Sequence, residues 1–226
     1  KKSEVPNRFP APSVENTAHL PGTRCATAVM TGHYPARHGV HGHFATVESH
    51  VKRRMPDWLD PKATMLPRLL QGAGYATAHF GKWHLSNNTL GPTGPNQSGF
   101  LHYAGSLRGA VPDYYSWQKV IDGQMSVSTT YATTDTADEA IIAMQNMQPP
   151  WFLYVSFNAP HVPAHVPPLN LCPCPSGFCT NLGANSSVTD RIKAATEAMD
   201  TELGRIMTAL DTIDPDALVV FLGDNG

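Results

Sequence analysis

Three short apolar segments constrain the fold of this chain most, because each ends in polar residues and helical patterns separate them. They are residues 75–80, 151–157 and 218–222. Their length and their β-branched and aromatic content predict buried strands of a parallel sheet. Strand and helix patterns that alternate in this order indicate an α/β fold: a doubly wound, mostly parallel sheet with helices on both faces.

Amphipathic segments between these strands predict the helices. The clearest runs from Ile192 to Leu210, where apolar side chains recur at helical spacing along one face. Thr189 or Asp190 can cap this helix, and we interpret its apolar stripe as core. Further helices are expected at residues 25–31, 64–73 and 134–147.

Polar side chains with useful chemistry follow each predicted strand. The pairs, in chain order, are Lys82 and His84, Asn158 and His161, and Asp224 and Asn225. In an open α/β sheet, ligands bind beyond the carboxyl ends of the strands, so we expect these side chains around one cleft. Lysine neutralises an anion and histidine moves a proton, whereas carboxylate and amide oxygens suit Ca²⁺ or Mg²⁺.

The geometry of an extended chain adds a prediction about the first pair. Successive side chains of a strand point to opposite faces. Lys82 and His84 are therefore expected to point the same way, with Trp83 opposite. Residues 33–44, which include four histidines, are expected to form a polar loop near the anion site rather than a metal site.

Composition excludes some functional classes and indicates a compartment. The formal net charge of −2 does not predict a nucleic-acid partner, and no apolar run is long enough to span a membrane. Residues 1–6 do not resemble a signal peptide. A disulfide from Cys172 or Cys174 to Cys179 is expected, with a zinc site as the weaker alternative. Loop cysteines and three glycosylation sequons favour a secreted, periplasmic or lysosome-like location.

Four segments, taken in order, resemble the sulfatase family of the alkaline-phosphatase-like superfamily. They are residues 30–40, 74–85, 152–163 and 219–226, so the resemblance spans most of the chain. The sequence Gly-Lys-Trp-His-Leu at residues 81–85 is the most specific of these matches. Members of this family hydrolyse sulfate esters: a hydrated formylglycine, made from Cys or Ser, attacks sulfur while a metal polarises a sulfate oxygen.

The resemblance implies roles for five residues. Lys82 and His84 match basic residues that contact the sulfate and the nucleophile. His161 matches a histidine that contacts sulfate or protonates the leaving group. Asp224 and Asn225 match two ligands of the divalent cation, usually Ca²⁺. The implied substrate is a sulfated small molecule or glycan.

The nucleophile motif of the family, Cys or Ser-x-Pro or Ala-x-Arg, is not intact here. Ungapped counting back from Thr31 puts Gly22 at the nucleophile position, and Gly cannot attack. If Arg24 is the motif arginine, the nucleophile falls near residues 19–20. Cys25 lacks the Pro and Arg expected for conversion to formylglycine. Thr23 is an alternative direct nucleophile; otherwise Thr23 caps the following helix and Cys25 is a packed residue.

These observations predict that residues 1–226 are a partial sulfatase-like catalytic domain, incomplete at both ends. The family's first strand, with paired metal-binding aspartates, is expected before residue 1, and a smaller domain after residue 226. The expected activity is sulfuric ester hydrolysis with a nucleophile in residues 19–25. The alternatives are a phosphodiesterase or phosphonate hydrolase that uses Thr23, and a catalytically inactive sulfatase-like protein.

Overall fold

The computed structural model of the chain describes residues 22–86, 90–173 and 178–223. Its centre is a five-stranded mixed sheet in the order β4-β3-β2-β1-β5. Neighbours β2, β1 and β5 run parallel, and β3 and β4 form an antiparallel hairpin at one edge. The strands are β1 (Ala76–Lys82), β2 (His102–Ser106), β3 (Trp117–Ile121), β4 (Gln124–Ser128) and β5 (Trp151–Ser156).

Helices cover both faces of this sheet, as the sequence predicted. On one face, Ala78 and Phe80 of β1 pack against α5 and α6. On the other, the ring of His79 lies among Phe100, Tyr103 and Tyr154. The helices are α1 (Gly22–Thr31), α2 (Val47–Arg53), α3 (Leu66–Gly72), α4 (Gly94–Gln97), α5 (Ala132–Asn146) and α6 (Val188–Ile213).

A glycine at the end of β1 permits the close approach of the strands that carry polar residues. Gly81 has a φ of +94°, and a Cβ there would lie 2.0 Å from the carbonyl oxygen of Ser156 on β5. Only glycine fits this position. The backbone therefore passes tightly between β2 and β5 and delivers Lys82 at the carboxyl edge of the sheet.

Helix α6 begins earlier than its sequence pattern indicated. Its N-cap is Ser187, whose hydroxyl accepts from the backbone N–H of Asp190 (3.1 Å). The prediction of Thr189 or Asp190 as the cap was therefore wrong, because Val188 and Thr189 already lie inside the first turn of the helix. The apolar stripe is core, as expected, with Ile206 and Leu210 packed toward α5 and the sheet.

The third predicted strand does not form. Residues 218–222 pair with no strand of the described residues, and their side chains are exposed, with Leu218 91% exposed. On its outer side β5 has no neighbour among the described strands, so no described ladder receives this segment. An apolar run indicates that a segment favours burial, but it does not indicate which element covers that segment. Asp224 and Asn225 lie outside the described residues.

Candidate active site

The ends of the three parallel strands lie side by side and carry linked polar groups. Lys82 is the last residue of β1 and pairs with Ser106, the last residue of β2. The hydroxyl of Ser106 donates to Oδ1 of Asn158, just beyond β5 (3.0 Å). The backbone N–H of His161 donates to the carbonyl of the same Asn158 (2.9 Å). Ser106 at the end of β2 therefore links the two predicted site segments that follow β1 and β5, at one edge of the sheet.

His84 does not continue the extended backbone of β1. It has a left-handed φ of +46°, and its N–H donates to the carbonyl of Leu107 (3.1 Å). Successive side chains alternate between two faces only where the backbone is extended. The prediction that His84 points the same way as Lys82 assumed an extended backbone, and that assumption was wrong. Trp83 between them is buried in the core.

Both ring nitrogens of His84 have partners. Nε2 lies 3.1 Å from the carbonyl oxygen of Phe44, and Nδ1 lies 3.2 Å from the hydroxyl oxygen of Thr23. Because a carbonyl can only accept, the proton of the neutral imidazole sits on Nε2. The Nδ1 lone pair then faces the Thr23 hydroxyl.

Thr23 lies in the first turn of α1, and its side chain is completely buried. Its hydroxyl is within reach of both Nδ1 of His84 and the carbonyl oxygen of the same residue (3.3 Å). A hydroxyl and an imidazole at this separation have the geometry of a nucleophile and its base. Burial, however, keeps a substrate from reaching the hydroxyl in this conformation, so the arrangement equally suits a residue that orients His84.

Other residues of the predicted nucleophile region lie on the same helical turn. Gly22 is half-buried at the first residue of α1, and Cys25 is half-buried within it. Arg24 is also half-buried, and its Nε has no hydrogen-bond partner among the described residues. The earlier candidates at residues 19–20 lie outside the described residues.

His161 stands on an exposed loop after β5. Its Nδ1 lies 3.0 Å from the carbonyl of Val162 and therefore carries the proton in the neutral ring. The hydroxyl of Tyr114 donates to the carbonyl of His161 (2.9 Å). This contact fixes the backbone that presents the imidazole.

Aromatic side chains hold the rest of this loop. Tyr131 donates to Nε2 of His165 (2.7 Å), and the rings of Tyr114 and His165 stack with centroids 3.7 Å apart. Burial raises the pKa of both tyrosine hydroxyls and lowers the pKa of His165. The tyrosines therefore stay protonated as donors and the imidazole stays neutral as an acceptor.

A buried histidine beneath the site was not singled out from the sequence. His79 of β1 is completely buried, which lowers its pKa to about 3. Its Nε2 lies 2.9 Å from the hydroxyl of Ser156, which donates to the carbonyl of Lys82 (2.6 Å). The signal for it was a histidine inside an apolar strand, where a polar group requires a partner.

The described residues contain one group of three potential metal ligands, formed by Cys172, Cys179 and Glu197. The two cysteines are joined in a disulfide with a Cα–Cα distance of 6.1 Å, which is one of the two pairings expected. Disulfide sulfurs are not the thiolates that zinc binds, and sulfur is not the ligand that Ca²⁺ prefers. The expected cation ligands, Asp224 and Asn225, lie outside the described residues.

Curated sulfatases are similar to this chain in sequence. The uncharacterized sulfatase YdeN of Escherichia coli (strain K12) is 27% identical over 226 residues, covering 88% of this chain and 38% of that protein. The N-acetylgalactosamine-6-sulfatase of Mus musculus is 25% identical over 228 residues, covering 88% of this chain and 40% of that protein. The chain therefore spans about two fifths of the length of these relatives.

Solved structures share the fold. The crystal structure of Ps i-CgsB in complex with k-i-k-neocarrahexaose matches with a TM-score of 0.68 at 24% identity, covering 85% of this chain and 45% of that chain. The structure of BT4656 in complex with D-glucosamine-2-N,6-O-disulfate matches with a TM-score of 0.57 at 19% identity, covering 86% and 52%. At these identities the likeness shows the fold alone.

Two further findings concern the helices as a group and the family to which the chain belongs. Among the helices of the described residues, none has the length and apolarity needed to cross a membrane. The Sulfatase family model matches residues 17–226, which includes every strand and helix described above. The chain belongs to the sulfatase family.

Proposed function

We propose that the protein to which this chain belongs hydrolyses sulfate esters at the carboxyl edge of β2, β1 and β5. One observation carries the proposal: the first turn of α1 contacts His84 directly beyond the strand that ends in Lys82. The residue range that should supply the nucleophile thus adjoins a base, and that base follows Lys82 by two residues. An ammonium group and a helix N-terminus both favour a bound anion.

The basic residues are assigned complementary roles in this reaction. Lys82 neutralises the charge of the sulfate. His84 accepts, at Nδ1, the proton of the attacking hydroxyl. As the new O–S bond forms and the ester O–S bond breaks, His161 in its imidazolium form gives the Nε2 proton to the leaving oxygen and keeps the Nδ1 proton on the carbonyl of Val162. Arg24 lies on the same turn as the nucleophile region and is assigned to binding the anion.

A divalent cation, Ca²⁺ or Mg²⁺, is proposed from the family, and it would polarise a sulfate oxygen when bound. Asp224 and Asn225 supply only two of the six to eight oxygens that Ca²⁺ takes and lie outside the described residues. The roles above are therefore assigned to basic and hydroxyl groups of this chain alone. Turnover that EDTA abolishes and that Ca²⁺ or Mg²⁺ restores would support the cation; turnover indifferent to EDTA would oppose it.

The substrate class proposed is a sulfated small molecule or glycan. Two similar proteins support it: N-acetylgalactosamine-6-sulfatase is named for a sulfated sugar, and BT4656 was solved with a disulfated glucosamine. An exported location fits the disulfide of Cys172 and Cys179. Of the sequon asparagines, Asn185 is exposed, whereas the amide of Asn96 donates to Asp122 (2.8 Å) and is engaged.

A second candidate function is phosphoester or phosphonate hydrolysis with Thr23 as the nucleophile. The 3.2 Å contact between its hydroxyl and Nδ1 of His84 favours this candidate. Formylglycine is not required for it, which agrees with the broken motif around Cys25. The complete burial of Thr23 weighs against it, because attack requires the first turn of α1 to open.

Paired substrates separate the two functions. The whole protein is assayed with 4-nitrophenyl sulfate and 4-nitrophenyl phosphate, before and after Thr23→Ala and His84→Gln. Loss of the base is expected to lower sulfate turnover about 10²- to 10⁴-fold. Thr27→Ala is the matched control, since Thr27 is a buried threonine of the same helix that donates to the backbone of Thr23.

The outcomes are distinct. Sulfate turnover that needs His84 supports the sulfatase, and mass spectrometry of the peptide around Cys25 then reports whether formylglycine is present there. Phosphate turnover that needs Thr23 but not Thr27 supports the second function. Binding of sulfated glycans with no turnover of either ester refutes both and favours a non-catalytic protein.

A further inference from the structure

One contact of His84 leads to a second, buried imidazole. Nε2 of His84 donates to the carbonyl oxygen of Phe44 (3.1 Å). The N–H of Ala45, in the same peptide unit, donates to Nε2 of His50 (2.6 Å). A single peptide group therefore joins the two imidazoles, through its oxygen on one side and its N–H on the other.

A carboxylate anchors His50 in turn. Its Nδ1 lies 2.5 Å from Oδ1 of Asp57, and the residue is 1% exposed. Because Nε2 accepts from Ala45, the proton of neutral His50 sits on Nδ1 and is donated to the carboxylate. A carboxylate on one ring nitrogen makes the other a better acceptor. Phe44 also packs edge-on against this ring, with centroids 5.8 Å apart.

Local structure around α2 builds this pair. Thr46 caps the helix by accepting from the N–H of Ser49. The helix places His50 on its buried side. Arg54, in a left-handed conformation, ends the helix, and the N–H of Met55 then returns to the carbonyl of His50 (3.0 Å). The chain reverses there and brings the carboxylate back to the ring.

We propose that His50 and Asp57 are positioning residues that hold His84 in its Nε2–H tautomer through the 44–45 peptide. The inference rests on the proposed role of His84 as the acceptor of the nucleophile's proton. With the Nε2 proton committed to the peptide oxygen, the Nδ1 lone pair stays turned toward Thr23 and the first turn of α1. If the peptide rotates, the imidazole loses the acceptor that fixes both its tautomer and its orientation.

The substitution His50→Leu tests this link in the whole protein, because it removes the acceptor for the peptide N–H and keeps apolar bulk. We expect kcat for 4-nitrophenyl sulfate to fall ~10- to 100-fold, as for other residues that orient a catalytic group, with KM changed less than about twofold. NMR of ¹⁵N-labelled histidines, with His84→Gln for assignment, should show the ring of His84 leaving its single tautomer.

Two further variants control the experiment. Asp57→Asn keeps an acceptor for the His50 proton and removes the charge, so it should fold and give a smaller loss of kcat in the same direction. His102→Leu disrupts another histidine–carboxylate pair, in which Nδ1 lies 2.6 Å from Asp122 on the surface. It should leave both kcat and the His84 tautomer as in the wild type.

The proposal is overturned if folded His50→Leu protein keeps the wild-type kcat and the wild-type His84 tautomer. Equal losses in His50→Leu and His102→Leu would overturn it as well. If His50→Leu does not fold, Asp57→Asn protein with an unchanged kcat and an unchanged His84 tautomer would also overturn the proposal. The tautomer measurement needs no turnover, so a wild-type protein that fails to cleave the sulfate ester refutes the proposed function separately.

Discussion

The buried His79 makes the stability of this domain sensitive to acid. Burial lowers its pKa to about 3 from an ordinary value of 6.5. A base with a lowered folded-state pKa contributes stability above its unfolded pKa, and that stability is lost as the pH falls through 6.5 toward 3. At pH 5 the unfolded histidine is mostly protonated and the folded one is neutral. Linkage then gives a loss of about 2 kcal/mol between pH 7 and pH 5.

The substitution His79→Gln removes this titration and retains a donor for Ser156. Urea unfolding at pH 7 and pH 5 gives the free energy of unfolding of each protein, and tryptophan fluorescence can follow it, since Trp83 lies 5.6 Å from the His79 ring. The variant is expected to have a lower free energy of unfolding than the wild type at both pH values. Its loss between pH 7 and pH 5, however, should be smaller than that of the wild type by about 2 kcal/mol.

A second core variant separates titration from general damage. Phe100→Leu perturbs the same aromatic cluster and removes no titrating group. The centroid of the Phe100 ring lies 5.2 Å from that of the His79 ring. The substitution should lower stability equally at both pH values. If His79→Gln and the wild type lose the same free energy between pH 7 and pH 5, within about 0.5 kcal/mol, then His79 is not held neutral by burial and the reasoning fails.

Two substitutions probe the backbone around the proposed catalytic histidines, each measured as 4-nitrophenyl sulfate turnover in the whole protein. Gly109→Ala would bring a Cβ to 2.3 Å from the His84 ring, so turnover should fall at least about tenfold. Gly72→Ala is the control, because a Cβ there meets nothing within 4 Å. Equal effects of the two substitutions would contradict the proposed role of His84. Tyr114→Phe removes the donor to the His161 carbonyl and should cost roughly 1 kcal/mol of stability with a several-fold drop in kcat; unchanged kcat in the folded variant would show that this bond does not position His161.

The strands that carry Lys82 and His161 could be predicted because their information is local. An apolar run of strand length, bounded by helices, predicts a parallel strand, and parallel strands end at one edge of the sheet. Both β1 and β5 form as expected. The same rule applied to residues 218–222 gave a strand that is not present, because a run of this kind does not specify its neighbours.

The hairpin of β3 and β4 carries a sequence signal in its turn. Asp122 and Gly123 connect the two strands, and both have positive φ values, of 45° and 88°. Asp-Gly between alternating residues is a strong signal for a two-residue hairpin turn. Residues 86–131 contain several Gly and Pro residues, which obscured this short motif.

The surroundings of His84 could not be predicted from sequence pattern. The contact with Thr23 joins residues 61 positions apart, and no periodic pattern encodes such a distance. The left-handed φ of His84 is also invisible in the sequence, since this conformation is rare for residues other than Gly, Asn or Asp. The residue pattern assigned His84 a proton-transfer role beside Lys82, and the resemblance of residues 81–85 to the family added contact with the sulfate and the nucleophile, but neither specified its contacts.

The conformation of His84 bears on whether the site is functional. A left-handed backbone costs about 1–2 kcal/mol for an L-residue, and strained residues persist only where their surroundings determine them. Here the carbonyl of Leu107 holds the backbone N–H of His84, while Thr23, the 44–45 peptide and Gly109 constrain its imidazole. Packing alone would be met by an apolar side chain with a relaxed backbone. The backbone cost at His84 is therefore an argument for the proposed role of an oriented ring nitrogen beside α1, a role that the sulfate-ester and phosphorus-ester proposals share.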